Sequence, residues 1–321
     1  MASREPGIHP VHEFDSAYHA PALVAPVVAL LGGRALVLDG TLGGGGHSAA
    51  LLDAGVGRVI GLDRDPDAIA AARARLATPP RAGRFEAHEG NYADLKALAA
   101  LAGLRFDGIM LDLGISSHQI DDSTRGFSFR EGAPLDMRMG SDAARDAAAL
   151  LNETPEQELL AIFREYGDEP KAGRLAREVV RRRGNRPFAT SDDLVGAIRA
   201  VLGARSGPPE FARLFQAVRI AVNDELRGLE RALPDLRDRL APGGVLAILA
   251  YHSGEDRLVK HAFRNWSEAC ICPPRHPMCT CGADHAMGEV LTRRGVVASP
   301  QETAHNPRAR SATLRAWRRA P

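Results

Sequence analysis

The stretch Leu36-Val-Leu-Asp-Gly-Thr-Leu-Gly-Gly-Gly-Gly-His47 constrains what this chain can fold into more than any other. A short apolar run, Ala35 to Leu38, ends in Asp39 and opens into four consecutive glycines. His47 and Ser48 then lead into an alanine- and leucine-rich segment of helical character. A buried strand, a tight glycine turn and a helix start are the parts of a nucleotide-type cofactor site. Glycine lets the backbone approach a ligand closely, and the N–H groups of a first helical turn are free to bind it.

Strands and helices alternate around this loop. Strands are expected at Arg34–Asp39, Arg58–Asp63, Phe85–His88 and Phe106–Leu111, with helices at Leu23–Leu31, His47–Ala54, Pro66–Ala77 and Ala93–Leu101. Such alternation argues for a parallel sheet covered by helices on both faces. From Asp121 to about Pro209 no strand is evident. Helices are expected there at Glu156–Tyr166, Lys171–Arg183 and Asp192–Leu202, the last with N-cap candidates in Thr190-Ser-Asp-Asp193. The alternation resumes with a long amphipathic helix Phe211–Leu240, a strand Val245–Ala250, a helix Glu255–Trp266 and a final edge strand Ser311–Trp317.

The expected architecture is therefore a doubly wound, Rossmann-like α/β domain, residues 19–120 and 210–321, with an all-helical domain, residues 121–209, inserted after the fourth strand. Residues 1–18 read as a flexible tail. They contain Arg4, Glu5, His12, Glu13 and Asp15 and lack the apolar centre of a signal peptide. No apolar run is long enough to span a bilayer, so a cytoplasmic protein without membrane attachment is expected. The 321 residues, 45 % hydrophobic, leave ample material for a core. A net charge of +1 selects no partner, because local clustering of charge matters more.

The cofactor follows from what the glycine loop lacks. A dinucleotide fingerprint needs G-x-G-x-x-G, but the frame from Gly43 gives Gly45 and then Ser48. The alternative is an acidic residue followed by glycines, Asp39-x-Thr41-x-Gly43-x-Gly45, as in S-adenosylmethionine enzymes. Asp63 lies eighteen positions after Gly45 at the end of the second strand. An acid there can accept hydrogen bonds from both ribose hydroxyls, which NAD and S-adenosylmethionine share. Asp65, immediately before Pro66, is the better candidate for a simple helix cap. Gly90-Asn-Tyr92 would place a polar turn and a ring beside an adenine. Asp112 puts a carboxylate at the C-terminal end of an apolar strand, where open α/β sheets hold their ligands and where such a group needs a partner.

Several long strings resemble the ribosomal RNA small-subunit methyltransferase H family, also called RsmH or MraW. They are Asp112-Leu-Gly-Ile-Ser-Ser-His-Gln119, Arg125-Gly-Phe-Ser-Phe129, Pro134-Leu-Asp-Met-Arg-Met139, Phe215-Gln-Ala-Val-Arg-Ile-Ala-Val-Asn-Asp-Glu225, Tyr251-His-Ser-Gly-Glu-Asp-Arg257 and Asn306-Pro-Arg-Ala-Arg-Ser311. His19-Ala-Pro21 is similar to the family's N-terminal H-x-P, and the likeness runs from about His19 to Arg315. The resemblance implies a class I methyltransferase fold with a helical insertion. It implies methyl transfer from S-adenosylmethionine to the exocyclic N4 of a cytidine in the decoding centre of 16S rRNA, so the partner is that RNA or the small ribosomal subunit. Carried over by motif, the cofactor contacts fall on Gly45, Gly46, His47, Asp63, Tyr92, Asp112 and Gln119. Tyr92 stands where other members have Phe, Gly254 replaces the Leu usual in the HSLED string, and Pro26 replaces an acidic residue after H-x-P. A homodimer is a further expectation.

Asp112 and His252 are the candidate catalytic residues. By position Asp112 can hold a proton of the N4 amine, although the resemblance makes it a cofactor contact. His252, Ser253, Glu255 and Asp256 follow the fifth strand and should face the same cleft; a capped helix start explains the acids but not His252. Asn306, Arg308 and Arg310 offer an amide and two guanidiniums for RNA, with pairing to surface acids as the plainer alternative. Lys171, Arg174, Arg177 and Arg181 fall on one helical face, extended by Arg182, Arg183 and Arg186, with Glu178 as the one acid among them. Such a patch suits the phosphates of a structured RNA.

Cys270-x-Cys272 and Cys279-x-Cys281, with His276 and His285 nearby, could tie down a loop around zinc. C-x-C is less diagnostic than C-x-x-C, and the implied chemistry requires no metal, so no metal site is assigned. Three competing functions remain open: NAD-dependent oxidoreduction, a non-catalytic RNA-binding assembly factor, and an amino-methyltransferase acting on DNA or a small molecule. The missing third glycine and the C-terminal strings argue against the first. The intact loop with Asp63 and Asp112 argues against the second.

Overall fold

A computed structural model describes residues 14–16, 18–273 and 278–321. His276 and residues 1–13 and 17 of the expected tail lie outside the described residues. The chain divides into two compact units, one made of the residues up to Gly114 with Gly228–Pro321, the other of Ile115–Arg227. The helical unit is wider than the 121–209 expected from the sequence. The difference is greatest at its C-terminal end, where Phe211, Leu214, Phe215 and Val218 bury themselves in the helical core.

The first unit begins with α1 (Val24–Leu31), β1 (Leu36–Asp39), α2 (Gly46–Asp53), β2 (Arg58–Asp63), α3 (Pro66–Leu76), β3 (Phe85–Glu89) and β4 (Phe106–Asp112). The helical unit follows with α4 (Ser117–Asp121), α5 (Ala147–Glu153), α6 (Glu156–Ala161), α7 (Ala172–Arg183), α8 (Ser191–Leu202) and α9 (Pro208–Asn223). Then come α10 (Glu225–Asp238), β5 (Leu240–Ala250), α11 (Ser253–Trp266), β6 (Gly288–Val290), β7 (Val296–Val297), α12 (Pro300–His305) and β8 (Thr313–Arg319).

One sheet runs β3-β2-β1-β4-β5-β8-β6, with β7 pairing β8. It is parallel from β3 to β5, and β8 is antiparallel to its neighbours. Side chains alternate between two apolar layers. Val37, Met110, Val245 and Ala247 join one, while Leu38, Ile109, Leu246 and Ile248 join the other. Burial on both faces is why the central strands read as continuous apolar runs. The direction of strand addition reverses between β1 and β4, the place where open α/β sheets bind ligands. The strands ending at Asp39, Asp63 and Asp112 thus bring three carboxylates to one edge of the sheet.

Four expectations need correction. The last strand is not an edge: β8 lies between β5 and β6, and β6, with three residues, is too short to leave an apolar signature. Ala93–Leu101 is no α-helix but two 3-10 turns, Tyr92–Ala97 and Ala99–Leu101, broken by non-helical Asp94. The long helix 211–240 is two, α9 and α10, because Asp224 adopts a left-handed conformation at φ 51°. The described end of the tail is packed, not flexible: Phe14 is buried and its carbonyl accepts from Arg75 at 2.6 Å, while Asp15 meets His305 at 2.6 Å.

The helical unit has its own core, built around Leu150, Leu159, Phe163, Leu175, Leu194 and Leu214. Two of the sequence strings noted above meet there. Asn223, 4 % exposed, donates from its amide to the Met137 carbonyl at 2.7 Å and accepts from the Met139 N–H at 2.9 Å. That holds Met137 at φ 62°, a conformation costly for a side chain of this size. Beside it Arg219 makes a two-pronged ion pair with Glu225, at 2.8 and 3.0 Å. Replacing Asn223 by Ala leaves a buried carbonyl and a buried N–H unpaired. The expected loss is about 1–3 kcal/mol, read as a lower urea midpoint at unchanged slope; an unchanged midpoint would refute the clamp.

Candidate active site

The glycine loop is pinned to the strands on either side of β1. Gly40 N–H donates to the Met110 carbonyl at 2.9 Å, and Leu42 N–H to the Leu62 carbonyl at 2.8 Å. Asp112 N–H donates to Thr41 Oγ1 at 2.5 Å, and Gly43 N–H to Asp63 Oδ2 at 2.8 Å. The four glycines serve two purposes. Gly43 and Gly45 take positive φ of 49° and 74° to make the turn. Gly44 and Gly46 admit Tyr18 and Pro21, each of which would lie 2.9 Å from an added Cβ. Behind the loop, fully buried Asp39 accepts from Ser48 Oγ at 2.7 Å and from Thr41 N–H at 3.3 Å. Burial raises its pKa, and its role is to brace the loop from within.

Asp63 accepts from Gly43 N–H through one oxygen and from Asp65 N–H, at 2.9 Å, through the other. Burial outweighs those bonds, and repulsion from Asp65 and Asp39 adds to it, so the carboxyl is pushed up to about 6. Asp65 caps α3 by accepting from Asp67 N–H at 3.1 Å, as its position before Pro66 implies. Tyr92 begins the 3-10 turn after β3, and its Cβ would lie 3.4 Å from a Cβ added at Gly40.

Asp112 is the most heavily partnered acid of the site. Tyr251 Oη donates to its Oδ1 at 2.7 Å. On the other oxygen, His47 Nδ1 lies at 3.6 Å and His19 Nε2 at 3.8 Å. His47 Nε2 donates to the Ala22 carbonyl at 2.8 Å, which fixes the ring with Nδ1 toward Asp112. Burial alone would raise the Asp112 pKa, but the His19 and His47 imidazoles and the Tyr251 hydroxyl together hold it below the ordinary carboxylate value. Tyr251 is pushed the other way, well above its usual value, by burial and by the Asp112 charge, and so remains a donor.

Gly45, Gly46, His47, Asp63, Tyr92 and Asp112 are therefore brought together around the ends of β1, β2 and β4. Gln119 belongs to the helical unit, where its Oε1 accepts from Ser116 N–H at 3.0 Å and its N–H donates to Ser116 Oγ at 3.2 Å, a reciprocal cap on α4. His252 Nε2 lies 3.1 Å from Glu255 Oε1. Glu255 is itself buried and accepts from the backbone N–H groups of Tyr251 and His252, at 2.8 and 3.4 Å. The helix cap thus accounts for the acids, while His252 Nε2 is buried without a hydrogen-bond partner among the described residues. The sequence reading missed Tyr251, the residue just before it, and His19. Both stood inside noted strings, but neither string says which side chain turns inward.

Asn306 is also reassigned. It is buried, donates to the Ala20 carbonyl at 3.0 Å and accepts from Arg308 N–H at 3.2 Å, so its amide is an internal clasp and no RNA contact. Arg310 is exposed and Arg308 half-buried on the turn after α12. On α7 the basic stripe is exposed at Lys171, Arg174, Arg177 and Arg181. The stripe and its extension are partly spent within the fold: Arg181 and Arg182 pair with Glu178, Arg183 donates to the Leu151 and Thr154 carbonyls, and Arg186 meets Asp193.

An adenosine ligand with a cationic tail fits these residues. Nothing lies within 4 Å of the position a Gly43 side chain would take, Asp63 ends β2 with a carboxylate of the kind a ribose hydroxyl can donate to, and Asp112 is an anion. Ribose hydroxyls donating to Asp63 would favour its ionised form. S-adenosylhomocysteine affinity should therefore weaken as pH falls through about 6, by up to about tenfold per unit. Asp63→Asn should flatten that profile in calorimetric titration. In the free protein the same raised pKa makes ionised Asp63 a stability cost, incurred as pH rises from 3.8 through about 6. A pH-independent affinity for the unsubstituted protein would remove Asp63 from the ribose.

The sequence profile of the MraW methylase family matches residues 16–320. A ribosomal RNA small subunit methyltransferase H from Gemmatimonas aurantiaca is 63 % identical over 303 residues, 94 % of this chain and 96 % of the relative. Its counterpart from Heliobacterium modesticaldum is 47 % identical over 93 % of this chain and 97 % of the relative. Among solved structures, an rRNA methylase from Streptococcus thermophilus superimposes with a TM-score of 0.42 and 11 % identity, covering 93 % of this chain and 94 % of that one. With a family match along nearly the whole chain, and relatives of this identity, the chain belongs to the MraW methylase family.

Proposed function

We propose that this protein transfers a methyl group from S-adenosylmethionine to small-subunit ribosomal RNA, with the exocyclic N4 of a cytidine as acceptor. The observation that carries this reading is the anionic Asp112, held by His19, His47 and Tyr251 beside the glycine loop. When bound, S-adenosylmethionine supplies a methyl on a sulfonium, so that forming the N4–C bond displaces a neutral thioether and N4 then releases one proton. Positioning dominates such a displacement. Asp63 orients the ribose, and the first turn of α2 at Gly46 and His47 presents backbone N–H groups to the ligand.

Asp112 has the character of an orienting anion. A carboxylate held below its ordinary pKa is a poor proton acceptor but a good hydrogen-bond partner. It can hold one N4 hydrogen and turn the nitrogen lone pair toward the methyl, leaving the proton to depart to water. Tyr251 stays protonated and keeps that carboxylate in place. The cytidine must leave its stack to reach the loop. The exposed cations Lys171, Arg174, Arg177 and Arg181, with Arg308 and Arg310, suit the RNA phosphates.

The deciding experiment incubates the purified protein with labelled S-adenosylmethionine and either free 16S rRNA or small subunits, then maps the product by mass spectrometry. N4-methylcytidine in the decoding centre is the expected product. A mark on another atom, or none despite cofactor binding, overturns the proposal. In the same assay Asp112→Asn should lose methylation on the order of 10²-fold while changing cofactor affinity far less. Lost binding alone would make Asp112 a cofactor contact.

The helical face has its own test. Arg174→Ala with Arg177→Ala should weaken RNA binding uniformly across sequences and reduce the salt slope by about 1.5 to 2. S-adenosylhomocysteine affinity should not move. An unchanged slope would take RNA off this face.

A further inference from the structure

Among its described residues, the segment between α11 and β6 has no core of its own. From Glu268 to Met287 no described residue is buried, and Ile271 and Met278 are 63 % and 73 % exposed. Its base is closed by backbone bonds, Met287 N–H to the Trp266 carbonyl at 2.8 Å and His285 N–H to the Ala269 carbonyl at 3.1 Å. Beyond that base, apolar burial contributes nothing to its order. Yet four sulfurs converge in it: the Sγ atoms of Cys270, Cys272, Cys279 and Cys281 all lie within 4.8 Å of one another.

The spacing is that of a shared ligand. Cys279 Sγ is 3.6 Å from both Cys270 and Cys281 Sγ, and Cys281 Sγ is 3.7 Å from Cys270 Sγ. A tetrahedron of thiolates around zinc, with bonds of about 2.3 Å, has edges of about 3.8 Å. Two disulfides would pair the sulfurs, whereas here three of them form a near-equilateral triangle with the fourth close by. The backbone is arranged for thiolates as well. Ile271 N–H donates to Cys281 Sγ at 3.4 Å and Thr280 N–H to Cys272 Sγ at 3.3 Å. Such outer bonds orient metal ligands and offset their charge. His285 is not part of the set, since its Nε2 bonds the Cys281 carbonyl at 2.8 Å.

We infer that Cys270, Cys272, Cys279 and Cys281 bind one structural zinc ion, which takes the place of a hydrophobic core in the segment between α11 and β6. The site has four protein ligands and no position open to substrate, as in structural and not catalytic zinc centres. Binding requires four deprotonated thiols and couples directly to ordering of the segment. The inference stands whether or not the methyl acceptor is a ribosomal cytidine.

The test uses the full chain, purified in reductant without a metal-binding tag and without added zinc. Elemental analysis should find about one zinc per chain, and all four cysteines should resist a thiol reagent until a chelator removes the metal. Cobalt(II) in place of zinc should give the absorption of a tetrahedral thiolate centre. Cys279→Ser, and separately Cys270→Ser with Cys281→Ser, should lose the zinc. Chelation should speed proteolysis between Glu268 and Met287 while leaving the melting temperature of the rest in place. A metal-free protein whose four thiols react at once, disulfides found by mass spectrometry, or full zinc in the double variant would each overturn the inference. If the variants fail to fold, the cobalt spectrum of the unsubstituted chain decides.

Discussion

The charge at the end of β4 is what the site of this protein is arranged around. A carboxylate out of water is tolerable only if its surroundings replace the hydration it has lost. Asp112 draws that replacement from three separate parts of the chain: His19 ahead of the first helix, His47 in α2 and Tyr251 after β5. Its own backbone N–H also ties it to Thr41 in the glycine loop. The contacts are individually modest, but they share one acceptor. Loss of any one changes the electrostatics felt by the others.

The glycine loop answers to a second constraint, which is crowding. A loop that only needed a turn would use glycine at Gly43 and Gly45. The run of four arises because Tyr18 and Pro21 lie directly on Gly44 and Gly46. The N-terminal segment therefore covers the loop, and the carbonyl of Ala22 holds His47. Fold and site are coupled at this point: the residues that shield the loop also orient the imidazole that steadies Asp112.

Much of this was legible in the sequence, for reasons that can be stated. The strands of the parallel sheet are buried on both faces, so β1, β2, β4 and β5 appear as apolar runs. Acids at their ends stand out because nothing in such a strand explains them; Asp112 is legible that way, and Asp63 by its place eighteen positions after Gly45. Side-chain direction was not legible. Tyr251 and His252 are neighbours in one string, yet it is the Tyr251 hydroxyl that reaches Asp112. Asn306 looked like a polar group offered to solvent until its partner proved to be Ala20, at the far end of the chain. The break at Asp224 is a single left-handed residue inside an unbroken amphipathic pattern, and the arrangement of β6 and β8 depends on pairings too short to leave a periodicity. Local composition reports burial well; it reports long-range pairing poorly.

The clasp between the two ends of the chain has a consequence for the order in which the site can come into being. Leu23 N–H donates to Glu302 at 2.6 Å across a separation of 279 residues, and Asn306 reaches Ala20 across 286. Contacts of this span close last, because the entropy of joining distant segments must be met before the contact returns anything. During synthesis the sheet can assemble strand by strand, with β1 to β4 docked early. The cover over the glycine loop cannot be fastened until the residues around Asn306 have emerged. A nascent chain would pass through a state whose loop is still uncovered, and the segment that carries His19 is fastened only once Glu302 and Asn306 have emerged.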